Sequence, residues 1–412
     1  MATGIAMILL AILLISFEPF AATDLAVEPA LGPNPVNQIG FSLAGMLAVF
    51  AMLTFADRRR TLALADIAWL PVVACLMFSA SNAPDPAGAT RSVLFTLIVV
   101  VICAGVLALP HSPAALRRVF TAVVLAVLAL SYFGILFLPD AAIHGAGGNE
   151  AQHEGLWRGV FSHKNVAGPV MATFLFYGIY LMRCGGRWAG VAIIVLAGIF
   201  VIQTGSKTTN GMIPLAIGAA FAGRVFASRW LPVLLIVVSV ASAATFTIGT
   251  AVSPWAAGIV EATMDDPTYT GRVTLWAVGL ENIAARPWTG YGFDGFWLSP
   301  VVTDSFLPID ADWDYREIVN GHSNYIDMAL FMGIPAAAIV VFVLCVRPLA
   351  DFLRCRPGRD NRRLADFFLM VLTFVLLNSM LESSWFRRAD PTWVMMIFAV
   401  LGLRLTARLN LR

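Results

Sequence analysis

The chain has 412 residues, of which 59% are hydrophobic and 13% charged, with 27 Lys and Arg against 25 Asp and Glu. A soluble domain carries about 25% charged residues, so this composition excludes a water-soluble globule, a disordered chain and a coiled coil. The net charge of +2, without a basic stripe, gives no indication of nucleic-acid binding. The composition predicts that lipid solvates most of the chain.

A helix needs about 20 mainly apolar residues to cross a bilayer core. Twelve apolar runs predict an all-α polytopic membrane protein with about 12 transmembrane helices in one integral membrane domain, residues 1–412. The runs cover residues 3–17, 37–55, 62–80, 92–109, 116–138, 166–182, 187–203, 208–226, 230–250, 323–346, 364–381 and 390–408. The first run is either a signal peptide or a retained helix, and its lack of a positive n-region favours a retained helix.

The Lys and Arg residues set the predicted orientation, because short cytoplasmic loops carry the excess of positive charge. With the N-terminus inside and twelve crossings, eighteen of the 27 cations fall in the inner segments, and every inner loop carries at least two. This distribution predicts that both termini are cytoplasmic.

Two outer segments are long, residues 139–165 and the large loop 251–322 between the ninth and tenth helices. Six apolar residues recur at helical spacing and predict an amphipathic helix lying on the outer membrane surface. They are Val273, Trp276, Ala277, Leu280, Ile283 and Ala284. Arg272 lies in the first turn of this helix. A guanidinium at a helix N-terminus makes a two-part phosphate site, the alternative being contact with lipid headgroups.

Basic side chains stand at several predicted outer helix starts. Lys164 and Lys207 are the only two lysines of the chain, Arg158 precedes Lys164, and Arg272 and His322 follow in the large loop. Together they predict a site for a polyanion such as a diphosphate. The alternative for each residue is an interfacial charge that faces lipid headgroups.

His322 is the candidate proton-transfer residue, because imidazole is the side chain that ordinarily titrates near neutrality. The alternative is a helix-capping histidine. His144 lies in a loop and is predicted to be solvated, and His153 lies outside any motif. The acids Asp327 and Glu382 suit either a proton relay of a transporter or polar packing near a site, and the second interpretation is favoured.

Two further patterns are weighed and set aside. The glycine pattern of residues 290–295 follows a helix and not a strand, so it predicts an aromatic-packed bend and not a dinucleotide site. Asp310, Asp312 and Asp314 have calcium-loop spacing, but Tyr315 and Gly321 occupy the positions that need Gly and Glu. No metal site is predicted.

Several motifs occur in one order along the chain. They are Trp157 to Asn165 (WRGVFSHKN), Ser206 to Thr208 (SKT), Tyr269 to Arg272 (YTGR) with Trp276, Pro287 with Gly290 to Phe293 (GYGF), and His322-Ser323 with Gly333. On these residues the chain resembles the O-antigen ligase and exopolysaccharide polymerase superfamily of bacterial envelope proteins. It is most similar to the exopolysaccharide polymerisation branch. Lys207 departs from the arginine common among ligases, and Ala336 from the Gly, Thr or Tyr that usually closes the last motif.

The resemblance implies a metal-independent, inverting membrane glycosyltransferase that needs no cofactor. Such enzymes take glycan from undecaprenyl diphosphate at the periplasmic face of the bacterial inner membrane and attach it to an acceptor sugar hydroxyl. His322 would be the base. The other implied site residues are the diphosphate-binding Arg272, Lys207, Arg158 and Lys164, and the supporting His163, Asn165 and Ser323.

The predicted function is polymerisation of lipid-linked repeat units, with chain-length regulators and export proteins as further partners. Ligation of finished glycan to lipid A core is the nearest alternative. A lipid-linked oligosaccharide transporter and a non-catalytic assembly protein are alternatives of different classes. A transporter would be expected to show internal repeats and broken helices at the membrane midplane, which the sequence does not indicate.

Overall fold

The computed structural model describes residues 1–21, 34–145, 153–305, 314–387 and 390–411. Within these ranges the chain forms eighteen α-helices and no β-strand. They are α1 Ala2–Ile15, α2 Pro35–Phe55, α3 Arg58–Leu64, α4 Trp69–Ser81, α5 Pro86–Ala108, α6 Pro113–Phe137, α7 Pro139–Ala142, α8 Lys164–Arg183, α9 Arg187–Gln203, α10 Lys207–Val225, α11 Trp230–Phe246, α12 Pro254–Thr263, α13 Arg272–Ala285, α14 Pro300–Thr303, α15 Asn324–Val341, α16 Arg347–Leu353, α17 Arg359–Asn378 and α18 Pro391–Arg408.

Helices lie at all twelve predicted apolar runs. Six helical stretches of the described chain are long and apolar enough to cross a membrane, or seven if the bent pair α3 and α4 is one span. α1 and α9 are apolar but shorter. The structure therefore supports an all-α polytopic membrane protein, while twelve crossings and the domain limits remain predictions.

Many helices begin with the same local device. A capping side chain accepts a backbone N–H of the first turn, and a proline follows at the first helical position, where its missing N–H costs nothing. The pairs are Asn34-Pro35, Asp85-Pro86, Ser112-Pro113, Ser253-Pro254 and Asp390-Pro391. These short signals end the loops and fix where each helix starts.

The third predicted run is not one straight helix. It divides into α3 and α4, bent by 55°. At the break, Arg404 donates to the Ala65 carbonyl at 2.7 Å, and both Arg404 and Arg347 pair with the Asp66 carboxylate at 2.9 Å. The buried carboxylate and the exposed backbone carbonyl are thus satisfied by arginines from other helices, which allows the chain to turn there.

The centre of the bundle is made by α17 and α18. Residues 364–378 of α17 and 392–407 of α18 are buried throughout, and α17 packs against α8, α10 and α18. In contrast, α11 buries only Pro232 and Ile236. Its apolar surface is therefore available to lipid, as expected for a peripheral membrane helix.

Ion pairs fix the directions of the helices around α17. Arg183 at the end of α8 and Arg224 at the end of α10 both pair with Asp366, near the start of α17. α8 and α10 therefore run antiparallel to α17, and their first residues, Lys164 and Lys207, lie at the end where α17 stops. The structure thus brings the starts of α8 and α10 to the same end of the bundle.

Arginines predicted to be cytoplasmic gather at the opposite end. Besides Arg183 and Arg224, Arg117 lies 3.8 Å from Asp360 in the first turn of α17, and Arg404 lies at the end of α18, next to that turn. This grouping agrees with the predicted inner face, while the orientation in a membrane remains a prediction.

Thiol labelling tests that orientation. In a chain without its five cysteines, Lys207→Cys should react with a membrane-impermeant maleimide in intact cells, because we place the start of α10 outside. Arg359→Cys, at the opposite end and similarly exposed, should react only after the membrane is permeabilised. Labelling of both positions from the same side would contradict the twelve-helix topology.

Candidate active site

The site is built around the start of α15. Its N-cap is Ser323, and the preceding His322 has a φ of 47°. A non-glycine residue in this left-handed region is strained and persists only where its surroundings hold it. Here the His322 backbone N–H donates to the Asn320 side chain at 3.0 Å. From this turn the imidazole contacts the loop that follows α17.

Glu382 is the residue that connects Arg272 and His322. It lies one turn beyond α17, where its backbone N–H donates to the Asn378 carbonyl at 2.9 Å. One carboxylate oxygen accepts from Arg272 at 2.7 Å, and the other lies 3.3 Å from Nδ1 of His322. The predicted base and the predicted diphosphate-binding arginine therefore share one carboxylate.

The charge of Glu382 is strongly stabilised. Burial by itself raises the pKa of the carboxyl, but Arg272, then His322 and His163, outweigh burial and lower this pKa to about 2. The carboxylate is therefore ionised at any pH at which the protein would work. Because a carboxylate only accepts hydrogen bonds, this contact favours the His322 tautomer with the proton on Nδ1, which leaves Nε2 as the acceptor atom.

A turn of left-handed residues presents Arg272. Tyr269, Thr270 and Gly271 have φ values of 52°, 61° and 81°. The Asp266 carboxylate accepts the Thr270 N–H at 2.8 Å and holds this turn, after which α13 begins at Arg272. The YTGR sequence thus forms a tight turn that places a guanidinium in the first turn of a helix.

The helix predicted between residues 270 and 286 is present as α13. Its buried face consists of Leu275, Trp276, Gly279 and Ile283, and it packs against α15. At Gly279 a side chain would meet Ile326, so the two helices approach closely. Of the apolar residues that the sequence assigns to the membrane surface, Trp276 and Ile283 are buried against protein, whereas Ala277 and Ala284 are exposed. The contact between α13 and α15 explains how Arg272 is held close to His322.

Asp327 fixes the two loops that carry His322 and Glu382. This buried carboxylate accepts three hydrogen bonds, from the Gly321 N–H at 3.0 Å, the Trp297 indole at 2.8 Å and the Ser383 hydroxyl at 2.5 Å. Gly321 precedes the base and Ser383 follows the acid. Of the two interpretations offered by the sequence, polar packing beside the site is the one seen.

Asn324, one helical turn before Asp327, also binds the loop after α17. Its side-chain oxygen accepts from the backbone of Ser384 and Trp385 at 2.8 and 2.7 Å, and its amide donates to Ser379 at 2.9 Å. Asn324 is not among the predicted site residues, although it follows directly after the His-Ser motif. The loop after α17 is thereby bound to the first turn of α15 by two buried side chains.

The glycine-rich segment of residues 290–295 packs against a break in α15. Gly333 has φ 76° and ψ 166° inside the helix, and the chain there bonds to the segment, with the Tyr291 N–H donating to the Leu330 carbonyl at 2.7 Å. A Cβ on Gly290 would lie 2.4 Å from that carbonyl oxygen. Aromatic rings pack around the bend, as the sequence predicts, with Tyr291 and Phe296 centroids 4.9 Å apart.

Three histidines form a second cluster before α8. The ring centroids of His144, His153 and His163 lie 4.8 to 5.8 Å apart. His163 caps α8 by accepting the Asn165 N–H through Nδ1, and His144 accepts the Lys164 N–H through Nε2. The prediction that His144 is solvated is therefore wrong, because the outer segment folds back onto the start of α8.

The remaining predicted cations differ in their surroundings. Arg158 is buried, and its guanidinium donates to the carbonyls of Ser162 and Phe20 at 3.3 and 3.5 Å, so it helps to fix the local backbone. Lys164 is half-buried and Lys207 is exposed, each at the first position of its helix. The Ser323 hydroxyl is buried, with no hydrogen-bond partner among the described residues. Binding of diphosphate by these residues remains a prediction.

Within the described ranges, no group of three or more His, Cys, Asp or Glu residues is placed to hold a metal ion. Asp310 and Asp312 of the weak calcium pattern lie outside the described residues. Asp314 is exposed and accepts from Arg316 at 2.8 Å.

The histidine cluster predicts a pH dependence of stability. Burial, with help from neighbouring positive groups, lowers the pKa of His163 to about 3 and of His144 to about 4. Unfolded histidines take up protons below about pH 6.5, so the stability from these neutral rings is complete above that pH and declines as pH falls toward 4. The loss should be on the order of 1–2 kcal/mol per ring between about pH 6.5 and about pH 5.

Thermal unfolding in detergent measures this loss. Wild-type protein should be less stable at about pH 5 than at about pH 7.5, and a His144→Asn/His163→Asn variant should lose less stability over that interval, since Asn can still cap α8. His111→Asn, an exposed histidine elsewhere, is the matched control. Equal pH dependence in all three proteins would contradict buried neutral rings.

Comparison with known proteins agrees with the motifs. Residues 192–341 match the family model described as O-antigen ligase. No curated protein matches the chain. The matched segment contains Lys207, Arg272 and His322, whereas Glu382 and the histidine cluster lie outside it. Over that segment the match confirms the resemblance to the O-antigen ligase and exopolysaccharide polymerase superfamily that the motifs predict.

Proposed function

We propose that the protein is a metal-independent, inverting glycosyltransferase that polymerises repeat units carried on undecaprenyl diphosphate. The observation that carries the proposal is the arrangement of Arg272, Glu382 and His322, which sets a cation for a diphosphate next to a base for an acceptor hydroxyl. Both the base and the cation lie within the segment that matches the O-antigen ligase family.

The proposed reaction is a single displacement. Nε2 of His322 accepts the proton of the acceptor sugar hydroxyl, and the oxygen attacks the anomeric carbon of the donor glycan. The bond between that carbon and the diphosphate oxygen breaks, and undecaprenyl diphosphate leaves with the electron pair. The proton passes from His322 to solvent. Attack opposite to the leaving group inverts the anomeric configuration.

Charge neutralisation is the main requirement for this leaving group. Arg272 would bind the diphosphate through the guanidinium donors that Glu382 does not use. Lys207 and Lys164, at helix starts on the same end of the bundle, would add positive charge together with the helix N-termini. Arg158, His163, Asn165 and Ser323 would support the site from the neighbouring loops.

The proposed location follows from the distribution of cations. We place the protein in the bacterial inner membrane with both termini in the cytoplasm and the site at the periplasmic face, where lipid-linked repeat units would be polymerised. Chain-length regulators and export proteins are the partners that such a polymerase would work with. The long outer segment 251–322 supplies α13 and the loops that surround the site.

Ligation of glycan to lipid A core is the second candidate, favoured by the description of the matching family. An assay with purified protein and undecaprenyl-diphosphate repeat units separates the alternatives. Growing chains indicate a polymerase, and transfer only to an added lipid A core acceptor indicates a ligase. If no glycosidic bond forms with either acceptor, the glycosyltransferase proposal is wrong.

Removal of the base provides a direct test of His322. His322→Ala should lower the transfer rate at least about 100-fold, because general-base catalysis contributes about 10²–10⁴. Membrane insertion and yield should be near wild type, since the ring bonds only to Glu382 among the described residues. His111→Ala is the control and should retain full activity. Comparable activity of both variants would remove His322 from catalysis.

Chelation tests the assignment of the diphosphate charge to Arg272 and the lysines. EDTA should leave the rate of the purified enzyme unchanged, because the proposed site neutralises the leaving group with side-chain cations. The assay should compare EDTA-treated enzyme with and without added Mg²⁺ or Ca²⁺. Loss of activity on chelation and its return with a divalent ion would contradict metal independence and direct attention to Asp310, Asp312 and Asp314.

A further inference from the structure

Glu382 lies outside the matched family segment, yet it contacts both principal groups of the site. Its side chain is only 20% exposed, in the loop held by Asp327 and Asn324. A buried charge is expensive unless it is paired, and here two partners share it. Such an arrangement is costly to maintain for packing alone, and it places the carboxylate in direct contact with the base.

We propose that Glu382 is a positioning residue, whose carboxylate holds the Nδ1–H form of His322 so that Nε2 accepts the acceptor proton, and which competes with the diphosphate for Arg272. This inference rests on the proposed glycosyltransferase function. It adds to that function a residue from the end of α17 and a link between donor binding and the base.

The geometry explains the effect on the base. A histidine with a carboxylate on Nδ1 keeps one tautomer and one ring orientation, and the negative charge stabilises the imidazolium that forms as the proton is taken. Charged groups face this ring from several elements. Glu382 after α17 contacts the ring itself, whereas Arg272 on α13 and His163 at the start of α8 interact with Glu382. Asp327 on α15 accepts from the Gly321 backbone, directly before His322.

The same geometry predicts that Glu382 weakens binding of the donor diphosphate. A diphosphate that binds Arg272 must share the guanidinium with Glu382, and its negative charge comes close to the carboxylate. Glu382 therefore opposes diphosphate binding while it assists proton transfer. When the diphosphate draws Arg272 toward itself, the guanidinium neutralises less of the Glu382 charge. The carboxylate then stabilises the protonated form of His322 more strongly. Donor binding would in this way strengthen the base that uses the donor.

The isosteric Glu382→Gln variant separates these two effects. The turnover number should fall at least about 100-fold, since a neutral amide neither fixes the tautomer nor stabilises the imidazolium. The acid limb of the pH–rate profile should move to lower pH, because the charge that stabilises the protonated ring is gone. Affinity for undecaprenyl diphosphate, measured by calorimetry in detergent, should be unchanged or several-fold tighter.

Two further variants complete the experiment. Glu281→Gln makes the same change at an exposed position on α13 and should behave as wild type. Glu382→Asp keeps the charge, so its pH profile should keep the wild-type acid limb at a reduced rate, and it serves as the test if Glu382→Gln does not fold.

The outcomes are distinguishable. Wild-type turnover and pH profile in Glu382→Gln would overturn the positioning role, as would a parallel loss of turnover and diphosphate affinity, which a purely structural carboxylate would cause. If wild-type protein forms no glycosidic bond, the proposed function itself fails. A slower enzyme with undiminished diphosphate affinity and a shifted acid limb supports the inference.

Discussion

The site depends on the Glu382 carboxylate, which both the Arg272 guanidinium and the His322 ring contact. Glu382 would be unstable as an isolated charge at its partly buried position, and Arg272 and His322 together stabilise it. The requirement works in both directions, since the guanidinium and the ring also need a partner. Three distant parts of the chain, the start of α13, the start of α15 and the loop after α17, are therefore brought to one point.

The helix bundle supplies the frame for this point. α17 lies buried in the centre, with Asp366 near its start and Glu382 just beyond its end, 16 residues later, or roughly 24 Å at 1.5 Å per residue. The ion pairs of Asp366 fix the far ends of α8 and α10, so the starts of those helices lie at the Glu382 end. Ionic contacts at one end of the bundle thus position cations at the other.

Part of this arrangement could be predicted from the sequence. Runs of apolar residues locate the helices because burial in lipid depends on local composition. The YTGR turn and the His-Ser helix start are also local, so Arg272 and His322 could be singled out. The helix α13 was predicted as well, but its buried face only in part, because hydrophobicity alone does not distinguish a membrane surface from the side of α15.

Other parts depend on contacts between residues far apart in the chain. The ion pair between Arg272 and Glu382 joins residues 110 positions apart in the chain, and the hydrogen bond from Ser384 to Asn324 joins residues 60 positions apart. Nothing around Glu382 in the sequence indicates these partners. The bend between α3 and α4 similarly depends on Arg404, 339 residues from Ala65. His144 looked like a solvated loop residue because its neighbours in space come from the start of α8.

A structure of the full chain with bound undecaprenyl diphosphate, determined by cryo-electron microscopy, would show whether the Arg272–Glu382–His322 group is the active site. We expect the diphosphate at the end of the bundle where α17 stops, in contact with Arg272, with Nε2 of His322 facing the position that the anomeric carbon of a donor would occupy. A diphosphate bound at the opposite end, beside the arginines that pair with Asp66 and Asp366, would contradict this expectation.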